Sequence, residues 1–311
     1  MAQKILAFTD GLLKQSSVMK PTTSLFTLAL AGGALFLSSC DSGKNDSPGE
    51  VGSASGGGDK AGSTKIVIKG SDTLGAKMVP QLSEAYKAAG NDVTFEIAAE
   101  GSSTAFTALE SGDAQIGMSS RGIKEEETNG FIAKGKEIKE WTAGHDMIAI
   151  VVNEASGIDN LTLDQVQRIF TGDVTNWSEV GGAAGDISAY TRNTSSGTYK
   201  SFQEMAMSKR DYGSGTQKMA GNEQIAQEVA GNPNGIGYVG LAYAGNKGIK
   251  VVTIDGVECV PDNMASYPVA RSLFLYTIEG ETSEAALDFI EWATTDPAAK
   301  EIISKVGFIA P

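Results

Sequence analysis

The pattern of apolar and polar positions divides residues 65–311 into short apolar runs that alternate with longer amphipathic segments. The apolar runs predict strands at 65–70, 93–101, 114–120, 146–153, 187–191, 235–244, 249–254 and 272–278. The amphipathic segments predict helices at 74–90, 103–113, 161–172, 197–209, 223–232 and 286–307, the last with a break near Pro297. Strands that alternate with helices are typical of an α/β protein with a parallel sheet.

Two of the apolar strands, 146–153 and 272–278, separate this region into three pieces. We interpret them as hinge strands that join two lobes. The first and last pieces, 65–150 and 268–311, are predicted to form lobe 1, and residues 151–267 are predicted to form lobe 2. A ligand cleft is then expected between the lobes.

The N-terminal residues have the pattern of an export signal. Met19 and Lys20 precede a mostly apolar run, 25–37, that is too short for a comfortable membrane span. Residues 1–40 are therefore predicted to be a signal peptide, and Met19 is an alternative start. The last four residues of this segment, Leu-Ser-Ser-Cys, resemble the bacterial lipobox, which implies cleavage before Cys40 and diacylglycerol on its thiol. The alternative is an ordinary secretory signal in which Cys40 is incidental.

Residues 41–64 are rich in glycine and serine, and they predict a flexible tether between the membrane and a globular body. The net charge of −13 argues against nucleic-acid binding, which usually needs a basic surface. Cys259 is the second of two cysteines and is expected to be a packed, inert thiol. Because His145 is the single histidine, no metal site is expected, and no cofactor is implied.

Three segments share one design, in which a strand ends in glycine, serine and threonine and a helix then begins. They are KGSDTLG (69–75), EGSSTAF (100–106) and TRNTSSGTY (191–199). The first turn of a helix has unsatisfied N–H groups and a partial positive charge, so it binds anions readily. One such segment alone is usually a helix cap. Three of them, one beside Arg192, favour a shared site for an oxyanion.

These residues resemble the phosphate-binding lipoproteins, the substrate-binding proteins of bacterial ABC-type phosphate importers. The resemblance covers nearly all of residues 65–311 and extends to AQIGMSSR (114–121), GHDMIAIVVN (144–153), LTLDQVQRIFTGDVTNWSEVGG (161–182), NGIGYVGLAYA (234–244) and YPVARSLFLY (267–276). It implies a two-lobed α/β fold of the periplasmic-binding-protein type, similar to type II, with the ligand in the cleft.

The resemblance also implies which residues contact phosphate. The family's contacts fall on Thr73, Leu74 (through its backbone N–H), Ser102, Arg192, Ser196, Gly197 and Thr198. One branch of the family has an aspartate at the end of the third strand, where this chain has Ser120 followed by Arg121. Relatives with the Ser-Arg pattern have an aspartate just before the hinge strand, which matches Asp146. Ser120 and Ser103 are further candidate contacts.

Asp146 is the candidate acceptor for the proton of hydrogen phosphate. Sulfate has no proton to donate, so a buried carboxylate would favour phosphate over sulfate. The alternative is that Asp146 only caps a strand or turn. Asp72 is the second candidate, although its position at a helix start favours an N-cap. Arg121 is either a second cationic contact or half of a salt bridge at the rim of the cleft.

The resemblance implies a monomeric, lipid-anchored receptor that closes over inorganic phosphate and docks on a membrane permease. A receptor for another oxyanion, a phosphate sensor and a secreted phosphatase stay open as alternatives. An enzyme is not expected, because Ser196 has no base nearby in sequence. GIGYVG (235–240) and GFIAKGKE (130–137) do not fit the dinucleotide and P-loop contexts. The acidic run KEEE (124–127) is interpreted as a solvated helix face.

Overall fold

The computed structural model describes residues 63–311. The predicted signal peptide, the lipobox cysteine and nearly all of the predicted tether lie outside these residues. The strands are β1 (Thr64–Gly70), β2 (Val93–Ala99), β3 (Ile116–Ser119), β4 (Ile138–Asn153), β5 (Asn160–Leu161), β6 (Ser188–Arg192), β7 (Gln217–Met219), β8 (Gly235–Gly240), β9 (Ile249–Val251), β10 (Thr253–Ile254) and β11 (Ala270–Ile278). The helices are α1 (Asp72–Gly75), α2 (Met78–Ala88), α3 (Ser102–Ser111), α4 (Glu125–Ala133), α5 (Leu163–Thr171), α6 (Gly197–Met205), α7 (Asn222–Gly231), α8 (Glu284–Thr295) and α9 (Pro297–Lys305).

Most predicted elements are present, and the differences have local causes. The helix predicted at 74–90 is divided into α1 and α2, because Pro80 lacks an N–H and is tolerated in the first turn of a new helix. The predicted break before α9 is confirmed, with Asp296 as N-cap and Pro297 as the first helical residue. The strand predicted at 235–244 ends at Gly240, and a short 3₁₀ helix follows.

One long sheet organises the chain, in the order β2-β1-β3-β11-β4-β8-β6-β7, with β9 also paired to β4. Strand β4 changes partners along its length. Its residues 138–147 pair with β11, and residues 148–152 pair with β8. We therefore call the elements around β2-β1-β3-β11 lobe 1 and those around β8-β6-β7 lobe 2. The chain passes between them again near Val269, whose carbonyl accepts the Ile148 N–H.

This arrangement confirms the α/β class and the two lobes predicted from sequence. The lobe boundaries given above, 65–150 with 268–311 and 151–267, stay predictions. In both lobes the outer strands are parallel: β1 pairs with β2 and β3, and β6 pairs with β7 and β8. The carboxyl ends of these strands face the crevice between the lobes, which is where ligands bind in open α/β sheets.

One continuous apolar core extends through both lobes, and a smaller apolar cluster lies in lobe 1. The core of lobe 2 includes Phe170, Phe202 and Tyr238, whose rings pack against one another behind β6 and β8. Cys259 is buried, as predicted, and its burial raises the pKa of the thiol to about 12. A thiol with such a pKa is not ionised near neutral pH, so it is an inert packing group. None of the helices within residues 63–311 is long and apolar enough to cross a bilayer.

Candidate functional site

The three turns singled out in the sequence lie between a strand and a helix. Strand β1 leads into α1 and β2 leads into α3, with Gly101 at φ 127° before the first helical residue. Strand β6 leads into α6, whose N-cap Ser196 accepts a hydrogen bond from the Tyr199 N–H. Both α1 and α3 belong to lobe 1 and α6 belongs to lobe 2, so the turns approach the crevice from both sides.

Four buried hydroxyl groups meet where these turns converge. The hydroxyl oxygens of Thr73 and Thr198 are 3.0 Å apart, and those of Ser102 and Ser120 are 3.3 Å apart. Ser120 and Thr198 complete the chain at 3.5 Å. Each of the four residues is at most 1 % exposed. Hydroxyls can donate as well as accept, so this cluster offers several donors to a single buried anion.

Gly197 makes this close approach of the lobes sterically feasible. A Cβ atom at this position would lie 2.2 Å from the Ser102 hydroxyl oxygen and 2.7 Å from that of Ser120. Any side chain there would push the hydroxyl cluster apart. Leu74 is fully buried and lies in the first turn of α1, where backbone N–H groups lack intrahelical acceptors.

Arg192 supplies positive charge at the end of β6. Its side chain is 1 % exposed, and its Nη2 donates to the Ala220 carbonyl at 2.9 Å. Its Nη1 lies 3.3 Å from the Asp72 carboxylate, in ion-pair range but without hydrogen-bond geometry. Within residues 63–311, Nε and Nη1 of Arg192 have no hydrogen-bond partner. These N–H groups are buried donors that an oxyanion would satisfy.

The surroundings of Arg192 hold it in place and affect its ionisation. The Tyr238 hydroxyl accepts the Arg192 backbone N–H and also contacts the Thr191 hydroxyl. Burial lowers the pKa of Arg192, and the Asp72 charge opposes that shift. Arginine nevertheless stays protonated in proteins, so the site contains a fixed cation.

A second buried arginine, Arg271 on β11, was missed by the sequence reasoning. Its Nη2 donates to Thr198 Oγ1 at 3.0 Å and to Asp146 Oδ2 at 2.7 Å. Its Nη1 donates to the Ser120 carbonyl at 3.0 Å. The segment YPVARSLFLY did contain a signal, because Arg271 is its one charged residue and lies in an apolar strand. A charged residue in such a strand is rarely buried without a partner, so a buried partner for Arg271 could have been expected.

Asp146 lies beside the hydroxyl cluster and directly opposite Arg271 in the β4–β11 pair. It is completely buried, and its second oxygen, Oδ1, accepts the Leu241 N–H at 2.9 Å. An ionised carboxylate has about four acceptor positions, so lone pairs are left for a proton donor in the crevice. Its role as the acceptor for a phosphate proton stays a prediction.

Arg121 and Ser103 lie at the edge of this cluster. Arg121 is engaged by Glu127, with distances of 2.6 and 2.8 Å between the guanidinium nitrogens and the carboxylate oxygens. This is the salt bridge considered as an alternative, and it corrects the interpretation of 124–127 as a wholly solvated face. Ser103 donates its N–H to the Ser195 carbonyl and receives a long hydrogen bond from Arg121. Neither side chain is within hydrogen-bond range of the four hydroxyls.

The sequence of this chain matches known proteins over most of its length. Residues 54–297 match the family model of the PBP superfamily domain. The phosphate-binding protein PstS of Pseudomonas aeruginosa is 34 % identical over 259 residues, which are 76 % of this chain and 78 % of that protein. The PstS protein of Bacillus subtilis is 27 % identical over 94 % of this chain and 95 % of its own length.

This chain belongs to the PstS family of the PBP superfamily. Solved structures agree with the assignment. A candidate phosphate ABC transporter substrate-binding protein with bound phosphate, from Clostridium perfringens, superposes with a TM-score of 0.74 and 31 % identity, over 80 % of this chain and 100 % of that chain. An ABC-type phosphate transport receptor from Vibrio cholerae gives a TM-score of 0.66 and 27 % identity, over 79 % of this chain and 100 % of that chain.

Among the candidate site residues, Asp72 differs most from its expected role. It was expected either to accept a phosphate proton or to cap its own helix. It is the first residue of α1, and the residue before it, Ser71, makes no side-chain capping bond. Its carboxylate instead points across the crevice and accepts hydrogen bonds from the backbone and side-chain nitrogens of Asn222 at 3.0 and 2.8 Å. The local pattern gave no sign of this distant partner.

Proposed function

We propose that this protein binds inorganic phosphate outside the cytoplasm and delivers it to an ABC-type importer in the membrane. Two observations carry the proposal together. Arg192 has buried N–H groups without partners among residues 63–311, and both lobes contribute to a cluster of four buried hydroxyls. Such donors suit a tetrahedral oxyanion, because they surround it without a metal ion. The relatives named above are phosphate-binding proteins or transport receptors.

Binding exchanges one set of hydrogen bonds for another. The hydroxyls of Thr73, Ser102, Ser120 and Thr198 contact one another when the lobes meet. Phosphate would part them, and each would turn its proton toward a phosphate oxygen. The N–H groups of Leu74 and Gly197 in the first turns of α1 and α6 would add backbone donors, and Ser196 orders α6 as its N-cap. The ligand touches both lobes only in the closed form, so it stabilises closure.

Asp146 is the proposed acceptor for the proton of hydrogen phosphate. It also neutralises Arg271, which donates to Thr198. A sulfate ion at the same place would meet the carboxylate without a proton between them, and the repulsion would be uncompensated. A carboxylate in this role makes the protein selective for phosphate over other tetrahedral oxyanions.

Calorimetry on protein freed of phosphate tests the function. We expect one phosphate to bind tightly per chain, with sulfate at least about a hundredfold weaker. Sulfate loses a charge-assisted hydrogen bond worth roughly 1.5–3 kcal/mol, and the carboxylate also repels it. Equal competition by sulfate would support the alternative of a general oxyanion receptor. Failure of wild-type protein to bind phosphate would refute the proposal.

A secreted phosphatase of the same fold is the alternative enzyme. Ser196 in this structure contacts the Tyr199 N–H, as a helix cap does, and His145 contacts Ser272 through its Nδ1. Within residues 63–311, no group of three His, Cys, Asp or Glu side chains is arranged as a metal site. These contacts favour the receptor, which needs no nucleophile and no cofactor.

The mature protein is proposed to be a monomer anchored to the membrane by lipid on Cys40. The motif Leu-Ser-Ser-Cys and the following Gly/Ser-rich segment support the lipid anchor. When the full chain is expressed in bacteria with radiolabelled palmitate, we expect label in the wild type and in Cys259→Ser but none in Cys40→Ser. A wild-type protein without label would leave only the ordinary secretory signal, and label in Cys40→Ser would place the lipid at another residue.

A further inference from the structure

The carboxylate of Asp72 links the two lobes at one edge of the crevice. Helix α1 packs against β2 and β3 of lobe 1, whereas α7 packs against β6 and β8 of lobe 2. Asp72 Oδ2 accepts the Asn222 backbone N–H at 3.0 Å and the Asn222 side-chain amide at 2.8 Å. It also lies 3.3 Å from Nη1 of Arg192 on β6. All three partners belong to lobe 2.

Helix α7 is built to receive this carboxylate. Its N-cap is Gly221, which provides no side-chain capping bond. A Cβ atom at Gly221 would lie 2.9 Å from Asp72 Oδ1, so the glycine leaves room for the incoming group. The cap that a serine or aspartate would normally supply locally is therefore supplied by a residue 150 positions earlier in the chain.

Asn222 connects the same contact to the hydroxyl cluster. Its side-chain amide donates to Thr73 Oγ1 at 3.3 Å as well as to Asp72. Its side-chain oxygen, Oδ1, accepts the Gly240 N–H at the end of β8 at 3.0 Å. Asn222 is completely buried. The Asn222 amide thus contacts two consecutive residues of α1: Asp72, which lies outside the hydroxyl cluster, and Thr73, which belongs to it.

We propose that Asp72 is an interlobe latch, a carboxylate of lobe 1 that caps helix α7 of lobe 2 only when the lobes are closed. Its charge faces a helix N-terminus and an arginine, and both interactions are lost when the lobes separate. The latch therefore stabilises the closed form without touching phosphate. Its kinetic effect, which rests on the proposed phosphate function, is to slow the release of bound phosphate.

A competing effect has the opposite sign, which makes the latch testable. Asp72 is an anion within 3.3 Å of Arg192, so by charge alone it would weaken the binding of another anion there. If repulsion were its main effect, removing the carboxylate would tighten phosphate binding and slow release. If the latch is its main effect, removal would speed release and leave association nearly unchanged.

The kinetic experiment uses the full chain loaded with radiolabelled phosphate and chased with unlabelled phosphate. For Asp72→Ala we expect release to be about tenfold to thirtyfold faster, with the association rate within about twofold of wild type. Glu223→Ala is the matched control. It removes an exposed carboxylate from the first turn of the same helix, but Glu223 belongs to lobe 2 and contacts Asn246. Release at the wild-type rate, or slower, from Asp72→Ala would overturn the latch.

Amide hydrogen exchange tests the latch at the Asp72–Asn222 contact itself. The Asn222 N–H donates to Asp72 when the lobes are closed, so in phosphate-saturated protein the first turn of α7 should exchange faster in Asp72→Ala and at the wild-type rate in Glu223→Ala. Unchanged exchange in Asp72→Ala would overturn the latch. Calorimetry separates the two failures. A wild-type protein that binds no phosphate would refute the proposed function, whereas phosphate-bound Asp72→Ala with wild-type exchange would refute only the latch.

Discussion

Phosphate affinity should fall by about a hundredfold or more in Arg192→Met, the largest effect we expect from a single substitution. Arg192 has two buried nitrogens, Nε and Nη1, without hydrogen-bond partners within residues 63–311. Hydrogen bonds to charged groups contribute about 1.5–3 kcal/mol each, and 1.4 kcal/mol is a factor of ten. Methionine preserves much of the packing of the side chain but donates nothing. Calorimetric titration with phosphate measures the loss.

Two further variants show whether the loss comes from the guanidinium itself. Arg192→Lys keeps the charge but not the planar pair of donors, so its affinity should be intermediate. Arg210→Met removes an exposed arginine that pairs with Asp173, and it should bind phosphate like the wild type. Phosphate affinity within about threefold of wild type in Arg192→Met would contradict the proposed site, because a single lost charged hydrogen bond already exceeds that factor.

Asp146→Asn should reduce the preference for phosphate over sulfate by about tenfold to a hundredfold, which is the worth of one hydrogen bond to a charged group. The amide cannot replace the carboxylate as an acceptor of equal strength, and it presents a donor that sulfate can use. The substitution also leaves Arg271 without its carboxylate, which affects both anions. The ratio of the two dissociation constants is therefore the informative quantity.

The control for this variant is Asp159→Asn, an exposed aspartate paired with Lys250, which should leave the ratio unchanged. Because an uncompensated buried charge costs about 3–5 kcal/mol, Asp146→Asn should also melt at a lower temperature without ligand. An unchanged phosphate-to-sulfate ratio in Asp146→Asn would move the acceptor role to another carboxylate, with Asp72 tested first. In that case the remaining role of Asp146 would be its ion pair with Arg271.

The periodicity of the sequence was sufficient to predict the α/β class and the strand–helix turns that form the crevice. These features depend on local properties: apolar runs for strands, amphipathic runs for helices, and glycine with serine or threonine where a helix begins. The predicted residues Thr73, Ser102, Ser120 and Thr198 do meet in one cluster. Their convergence was inferred from shared motif design and from the family resemblance.

The partners of the charged residues could not be predicted from local patterns. Arg271 and Asp146 are 125 positions apart, and only the pairing of β4 with β11 brings them together. Asp72 has the sequence context of a local helix cap, yet tertiary structure gives it a helix in the other lobe. Glu127 appeared to belong to a solvated acidic run, although it is only six residues from the arginine that it binds.

The opposition of Asp146 and Arg271 in the β4–β11 pair has a consequence for how this sheet assembles. Neighbouring residues of a strand point to opposite faces, so a slip of one residue would carry Arg271 to the wrong face. Ala270 or Ser272 would then stand opposite Asp146, and a buried carboxylate would lack its cation. Such a mispaired sheet is penalised by an uncompensated charge as well as by misplaced apolar side chains. The ion pair beside the anion site thus also favours the native strand register over a register shifted by one residue.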